Sequence, residues 1–191
     1  VNLTLLQLMG MEDGYHNSTT KMNHTIQLQP FGFLLLQIDG DLEDLQSALG
    51  NKKQKRPLGG GSCSALIKML PGNSDLYVSQ VTWSAYQTML RILKKYDFPF
   101  KEAQIKSSVI PGRMMSFSSA PGKLYSGDDF YIIGNGLVSL ETTIGNSNDA
   151  LWKYIKAKGQ VLEWMRNIVS NRLAHNATMW ADIFKQYNSG T

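Results

Sequence analysis

The residue best suited to do chemistry in this sequence is Cys63, the only cysteine among 191 residues. Residues 59–62, which precede it, are Gly-Gly-Gly-Ser, and residues 64–70, which follow it, are Ser-Ala-Leu-Ile-Lys-Met-Leu. A glycine-rich segment is typical of an exposed linker, whereas the apolar stretch is typical of a strand. A thiol at the junction of the two is placed as an N-terminal nucleophile requires, with a cleavable segment directly before the reacting residue.

The chemistry of such a residue begins with a cut in the chain. The sulfur of Cys63 attacks the carbonyl of Ser62, an N-to-S acyl shift gives a thioester, and water hydrolyses it. Cys63 then carries a free α-amine, with a reference pKa of about 7.7–8.0, beside a thiol whose reference pKa is about 8.5. The amine can act as the base for the thiol of the same residue. No separate histidine is needed as the base. The three histidines, His16, His24 and His175, all lie in or beside Asn-x-Ser/Thr glycosylation sequons, where a surface position is expected.

Other catalytic and metal-binding motifs fit poorly. The Cys63 segment lacks the closing glycine of a G-x-S-x-G elbow, and no glycine-rich loop ends in the Lys-Ser/Thr of a P-loop. The acidic residues at 39, 41, 43 and 44 indicate a helix start better than a calcium loop, since their spacing is not that of an EF-hand. We expect neither a metal nor another cofactor. A buried, inert thiol remains the alternative for Cys63.

Four sequons of the type Asn-x-Ser/Thr indicate passage through the secretory pathway. Because four such triplets in a chain of this length exceed what one chance match would explain, we expect a glycoprotein. The predicted glycosylation sites are Asn2, Asn17, Asn23 and Asn176.

Charge and hydropathy exclude two classes of function. The formal net charge is +4, but the only dense basic cluster, at residues 52–56, lies in the glycine-rich stretch and has no aromatic neighbours. This pattern is typical of a solvated linker, so we expect no nucleic-acid partner. A membrane-spanning helix needs about 20 consecutive apolar residues, and none occurs. We therefore expect no transmembrane span.

Two β-hairpins are predicted. Residues 64–70 and 76–83 flank the turn sequence Pro-Gly-Asn-Ser-Asp, and the first strand opens at Cys63. Residues 130–133 and 137–143 flank Gly-Asn-Gly. A further strand is predicted over 113–119.

Helical spacing of apolar residues predicts helices in the remaining segments. They include a short piece over residues 3–11, a helix after Asp39, an amphipathic helix formed by Trp83, Tyr86, Met89, Leu90 and Leu93, and helices from residue 148 onward. Strands followed by helices indicate an α+β class.

Seven motifs stand out along the sequence: Phe31-Gly-Phe-Leu-Leu-Leu-Gln, Gly40-Asp-Leu-Glu-Asp-Leu, Gly61-Ser-Cys-Ser-Ala-Leu-Ile-Lys, Phe117-Ser-Ser-Ala-Pro-Gly, Asp128-Asp-Phe-Tyr, Leu140-Glu-Thr-Thr-Ile-Gly-Asn and Trp180-Ala-Asp-Ile-Phe. In this order and at near-constant spacing they resemble motifs of the phospholipase B-like family. Residues 152–154 and 161–164, Trp-Lys-Tyr and Val-Leu-Glu-Trp, resemble one lysosomal branch of it, which implies a location in the lysosome lumen, or secretion.

The resemblance implies the αββα sandwich of N-terminal nucleophile hydrolases, incomplete in this chain, which we expect to be an internal fragment. It implies that residues 1–49 end the N-terminal chain, that 50–62 form a linker ending at the cleavage site between Ser62 and Cys63, and that 63–191 begin the catalytic chain.

The family's site places a His and a Trp on the second hairpin strand near the nucleophile. Trp83 matches the Trp, whereas Gln80 stands in place of the His and cannot titrate. Thr142 is carried over as a pocket residue, and the family's remaining Asn and Arg match no residue up to 191. The resemblance also leaves self-association into a homo-oligomer open.

The function implied by the resemblance is a hydrolase that removes acyl groups from glycerophospholipids, or from related lipid esters or amides, in lipid degradation. Its partner is then a lipid or lipid-like substrate. The alternative is a self-processed lysosomal lipid-binding glycoprotein with little turnover, an interpretation favoured by Gln80.

Overall fold

The computed structural model describes residues 1–18, 26, 28, 31–50, 62–102, 107–144, 148–156 and 158–190, which form helices and two antiparallel sheets. The helices are α1 (Asn2–His16), α2 (Gly32–Gln37), α3 (Asp39–Leu49), α4 (Glu163–Leu173) and α5 (Ala177–Phe184). The strands are β1 (Ser62–Met69), β2 (Leu76–Trp83), β3 (Ile92–Asp97), β4 (Met114–Ser119), β5 (Phe130–Ile133) and β6 (Leu137–Leu140).

The first sheet is the predicted hairpin of β1 and β2. All eight residues of each strand are paired, from Ser62 opposite Trp83 to Met69 opposite Leu76. A short 3₁₀ turn over Pro71–Asn73 joins the strands, and Gly72 adopts a φ of 67°, which glycine reaches without the steric penalty of a Cβ. The proline and glycine thus close the hairpin, as the turn sequence predicted.

The second sheet has four strands in the order β3-β4-β5-β6. Its buried face carries Met115 and Phe117 from β4 and Tyr131 and Ile133 from β5. Alternate residues of a strand point to opposite faces, so these four side chains form one layer. The Gly-Asn-Gly turn between β5 and β6 is also confirmed.

The predicted amphipathic helix over residues 83–93 is wrong. Trp83 ends β2, Tyr86–Met89 is a single 3₁₀ turn, and Leu93 lies within β3. Six register pairs join β3 to β4, and this pairing outweighs the local helical spacing of the apolar residues. The five residues that defined the predicted helix are consequently exposed to solvent rather than facing a core.

The segment of residues 1–49 shares a hydrophobic core with residues that follow Cys63. Leu8 of α1 and Phe33 of α2 pack in one buried cluster with Trp164 and Ile168 of α4. The cluster also includes Tyr125, whose ring centroid lies 6.1 Å from that of Trp164. The two segments that the sequence assigns to different chains therefore fold as one body.

Hydrogen bonds join the same two segments. Gln37 donates to the carbonyl of Gly122 (2.8 Å) and accepts from the backbone N–H of Leu124 (2.7 Å). A carboxylate oxygen of Asp41 accepts from the backbone N–H of Glu163 at 2.8 Å. Glu163 begins α4, so the buried carboxylate of Asp41 takes the place of a local N-cap, which α4 lacks.

The α+β class is confirmed, and so are the helix beginning at Asp39 and the strand after Arg113. The sandwich arrangement of the nucleophile hydrolases remains a prediction. Residues 51–61, which form most of the predicted linker, lie outside the described residues, and Ser62 begins β1. None of the helices in the described ranges is long and apolar enough to cross a bilayer.

Gly112 packs against the backbone at the end of α4, and this contact generates a stability prediction. Its N–H donates to the carbonyl of Arg172 at 2.9 Å, and a Cβ at this position would lie 2.1 Å from the carbonyl oxygen of Asn171. Gly112→Ala in the full-length protein should lower the free energy of unfolding by about 2 kcal/mol, because backbone must shift.

The matched control is Gly10→Ala in α1, where nothing lies within 4 Å of an added Cβ. Alanine in a helix interior should raise the free energy of unfolding by roughly 0.5–1 kcal/mol. Scanning calorimetry of both variants measures the difference. Equal melting temperatures would contradict the packing described for Gly112.

Candidate active site

Cys63 is the second residue of β1 and lies opposite Thr82 of β2. Directly opposed residues on antiparallel strands have side chains on the same face, so the thiol and the Thr82 hydroxyl are neighbours. Ser62 lies opposite Trp83. The predicted scissile bond between Ser62 and Cys63 is therefore held within a paired strand, at its first residue pair.

Burial raises the pKa of the Cys63 thiol above its ordinary value. The nearby carboxylates of Glu141 and Asp129 also raise it, whereas hydrogen bonding by the Thr82 side chain and by the Thr143 backbone lowers it. Two donors thus stabilise a thiolate that burial and negative charge disfavour. The same two donors can stabilise an oxyanion or a thiolate formed at this position during a reaction.

Three carboxyl groups have raised pKa values, and two of them, Asp129 and Glu141, lie near enough to act on the thiol. Burial and the charge of Asp41 raise the pKa of Glu163 to about 7. Burial is also the largest cause of the raised pKa of Asp129 and of Glu141. Because burial disfavours the charged form of a carboxyl group, these raised pKa values favour the protonated forms as the pH falls.

Asp129 is also unusual in its backbone. Its φ is 51°, the left-handed region that non-glycine residues rarely occupy. The backbone N–H of Asp129 donates to the carbonyl of Ser126 (3.2 Å), and its own carbonyl accepts from the N–H of Glu141 (3.1 Å). These bonds hold the turn before β5 against the start of the segment that follows β6.

The three predicted supporting residues lie in three different surroundings. Gln80 lies on the same face of β2 as Thr82, and its side-chain Nε2 donates to the Thr82 hydroxyl at 3.2 Å. Trp83 alternates to the opposite face and is 59% exposed. Thr142 follows the end of β6 and is half-buried. Its neighbour Thr143, through the backbone, is the residue that contacts the thiol.

A cavity of about 370 Å³ begins beside Thr82. Its volume falls within the range of small-molecule sites. Polar residues dominate its wall and include Gln80, Thr82, Ser84, Thr88, Arg91 and Asp128. Thr82 both lines this cavity and contacts the Cys63 thiol, so the cavity lies one residue away from the sulfur, which is not itself part of the wall.

Most of this polar environment was not predicted from the sequence. Thr82 follows from the register of the predicted hairpin, which places it opposite Cys63. Asp129 lies in the motif Asp128-Asp-Phe-Tyr, so its presence in the family pattern was a signal. No signal in the sequence pointed to the Thr143 amide, because only tertiary packing brings it to the thiol.

The first two acidic residues after position 38 have partners within the chain. Asp39 contacts the side chains of Lys123 and Tyr125, and Asp41 accepts from the Glu163 backbone. Within the part of the chain that the structure describes, no group of three potential metal-ligating side chains occurs.

The predicted sequon asparagines that the structure describes are exposed, as an acceptor must be. Asn2 begins α1, Asn17 follows its last residue, and Asn176 caps α5 by accepting from the backbone N–H of Met179 at 2.9 Å. Asn23 lies outside the described residues. Glycosylation of these residues stays a prediction.

Comparison with known proteins gives a consistent family. A family model described as Phospholipase B matches residues 1–191. The chain is 59% identical to a Bos taurus protein with the provisional name phospholipase B-like 2, over 100% of this chain and 33% of that protein. The Homo sapiens protein of that name is 57% identical with the same coverage, and a Caenorhabditis elegans one is 43% identical, over 100% of this chain and 32% of its own.

The shared name phospholipase B-like 2 agrees with the branch that residues 152–154 and 161–164 indicate, whereas its lysosomal location stays a prediction. The chain spans about a third of the length of the curated relatives it matches. With a family match along all 191 residues, the chain belongs to the phospholipase B family.

Proposed function

We propose that this chain contains the nucleophile of a phospholipase B-like hydrolase, which cuts itself between Ser62 and Cys63 and then removes acyl groups from glycerophospholipids or related lipid esters or amides. The observation that carries the proposal is the position of the Cys63 thiol. It lies near the start of a fully paired strand, between the Thr82 hydroxyl and the Thr143 backbone, and Thr82 also lines a cavity of about 370 Å³.

The self-cleavage step needs only groups of the chain and one water. The Cys63 sulfur attacks the Ser62 carbonyl, the C–N bond breaks, and the nitrogen takes up a proton as the new α-amine. Water then hydrolyses the thioester, giving a Ser62 carboxylate and a free thiol. The pairing of Ser62 with Trp83 holds the carbonyl at a defined place on the strand, which lowers the entropic barrier of the attack.

The hydrolytic cycle repeats this chemistry on a substrate. The α-amine of Cys63 takes the thiol proton, the sulfur attacks the acyl carbonyl, and the amine gives the proton to the departing alcohol or amine. The resulting acyl-thioester is hydrolysed by water. Thr82 and the Thr143 backbone are the candidates to stabilise the negative charge that develops during each attack.

The site's electrostatics support work in an acidic compartment, and we place the protein in the lysosome lumen or outside the cell. The raised pKa values of Glu163, Asp129 and Glu141 make the folded state bind more protons than the unfolded chain at mildly acidic pH. The amine mechanism adds a requirement. The pKa of the Cys63 α-amine must be lowered by its surroundings if it is to act as a base there.

A second candidate function is lipid binding by a self-processed glycoprotein with little turnover. Gln80 favours it, because a residue that cannot titrate stands where the family site has a His. Its amide is already engaged with the Thr82 hydroxyl. Loss of lipid turnover in Cys63→Ala protein supports the hydrolase, and lipid binding without any turnover supports this alternative.

Replacement of Cys63 tests the proposed nucleophile. Cys63→Ala in the full-length protein should abolish both cleavage after Ser62 and hydrolysis of a lipid panel, because no nucleophile remains. Cys63→Ser should slow cleavage, since a hydroxyl is the weaker nucleophile. Mass spectrometry of the separated polypeptides follows the cut. Cleavage after Ser62 at the wild-type rate in the Cys63→Ala variant would disprove self-cleavage.

Replacement of Thr82 tests the donor beside the thiol. Thr82→Val should slow self-cleavage by about tenfold or more, because a hydrogen bond to a charged group is lost. Ser79→Ala, on the exposed face of the same strand, is the control and should cleave at the wild-type rate. An unchanged rate in Thr82→Val would remove Thr82 from the mechanism.

The stability of the protein should depend on pH through Glu163. The pKa of Glu163 in the folded protein is about 7, above its ordinary value. Between that ordinary value and pH 7 the folded protein binds more protons than the unfolded chain, so the free energy of unfolding falls as the pH rises through this window. The melting temperature should therefore be higher at pH 5 than at pH 8. Glu163→Gln should reduce this difference, whereas Asp182→Asn on the surface of α5 should leave it intact. A melting temperature that rises with pH in the wild type would contradict the raised pKa.

A further inference from the structure

We propose that Arg91 and Asp128 form a subsite that binds the phosphate-bearing polar head of the substrate, in the cavity lined by Thr82, the strand partner of Cys63. This inference rests on the proposed function and names the part of the cavity that would select phospholipids among lipid esters. Neither residue has a role in the family pattern that the sequence shows, although Asp128 lies within one of its motifs.

The first observation is the fixed arginine in the cavity wall. The Nη2 atom of Arg91 lies 2.8 Å from Oδ1 of Asp128, and the side chains are 34% and 9% exposed, respectively. A buried carboxylate thus holds one edge of a guanidinium that lines the cavity. Arginine carries five donors in a planar fork that matches phosphate oxygens, so the cavity presents a preset anion-binding group.

The second observation is a buried acceptor with spare capacity next to that arginine. Asp128 Oδ1 is buried, and among the described residues it has no hydrogen-bond partner besides the ion-paired Nη2 of Arg91. A carboxylate oxygen can accept more than one hydrogen bond. A hydroxyl group of a bound molecule would supply a further donor. The pair therefore fits a ligand that carries both an anion and a hydrogen-bond donor.

The remaining wall adds one polar donor and an apolar part. The Ser84 hydroxyl lines the same cavity as Arg91 and can donate to a bound phosphate, whereas the Thr88 hydroxyl donates to the carbonyl of Ala85 at 2.7 Å. A phosphate diester has oxygens around a tetrahedral centre, so it can accept from both Arg91 and Ser84. The apolar side chains of Met89 and Phe130 also line the wall, where the glycerol and acyl carbons would lie.

The position of the subsite relates it to the chemistry. Thr82 lines the cavity and also contacts the Cys63 thiol. Thr82 is therefore the point at which a substrate with its head group at Arg91 would approach the sulfur. Binding energy from the non-reacting head would then position the reacting carbonyl.

Binding of glycerophosphocholine to the full-length, processed protein tests the subsite without any need for turnover. Isothermal titration calorimetry should give an affinity that falls about tenfold or more in Arg91→Gln, because a charge-assisted hydrogen bond is lost. Arg91→Lys, which retains the charge, should be affected less. The control is Arg113→Gln, since Arg113 forms a similar pair with Asp97 on the surface (3.1 Å), and it should bind like the wild type.

Inorganic phosphate is the second probe in the same experiment. Weaker binding of phosphate than of glycerophosphocholine supports a head-group subsite, because the free ion lacks the glycerol and choline groups that the rest of the wall would contact. Equal or tighter binding of phosphate would overturn the assignment to a lipid head group. Equal affinities of wild type and Arg91→Gln for glycerophosphocholine, with the variant's melting temperature retained, would overturn the subsite itself.

Turnover of two substrates with the same acyl chain separates this proposal from the hydrolase proposal. Arg91→Gln should lower kcat/KM for a lysophosphatidylcholine and have much less effect on the matching monoacylglycerol, which has no phosphate. An equal loss on both substrates, or no loss on either, would contradict the subsite while leaving the hydrolase intact. Absence of all turnover in the wild type would refute the hydrolase, and the binding experiment would still decide the subsite.

Discussion

The packing of residues 1–49 against the segment after Cys63 is the constraint on which the rest of the site depends. Leu8 and Phe33 share a buried cluster with Trp164, and Asp41 caps the start of α4. A cut before Cys63 would remove one covalent bond but none of these contacts. After such a cut the core would still hold the element that supports α4.

The hairpin of β1 and β2 supplies the second constraint, because it sets what surrounds the thiol. Its register places Cys63 opposite Thr82 and leaves Gln80 on the same face. The four-stranded sheet then brings the Thr143 backbone and two carboxyl groups to the sulfur. Two donors oppose burial and negative charge at one atom, so the reactivity of the thiol depends on both sheets and not on β1 alone.

Local signals in the sequence predicted those parts of the fold that depend on local chemistry. The Pro71-Gly-Asn turn and the Gly-Asn-Gly turn set both hairpins, and the acidic residues after Ile38 marked the start of α3. The segment from Trp83 to Leu93 was predicted incorrectly, because its helical spacing is local whereas its pairing with β4 involves residues more than twenty positions away. The same limit applies to the site. Cys63 stands out in the sequence, but Thr143, Arg91 and Asp128 gain their roles only from tertiary packing.

N-terminal sequencing of the mature protein, isolated without denaturant, tests the central claim most directly. We expect two polypeptides in equal amounts that remain together through purification, and the larger one should begin at Cys63. A single polypeptide that runs unbroken through residues 62 and 63 would contradict this expectation, and would leave the lone thiol without the α-amine that the proposed mechanism uses.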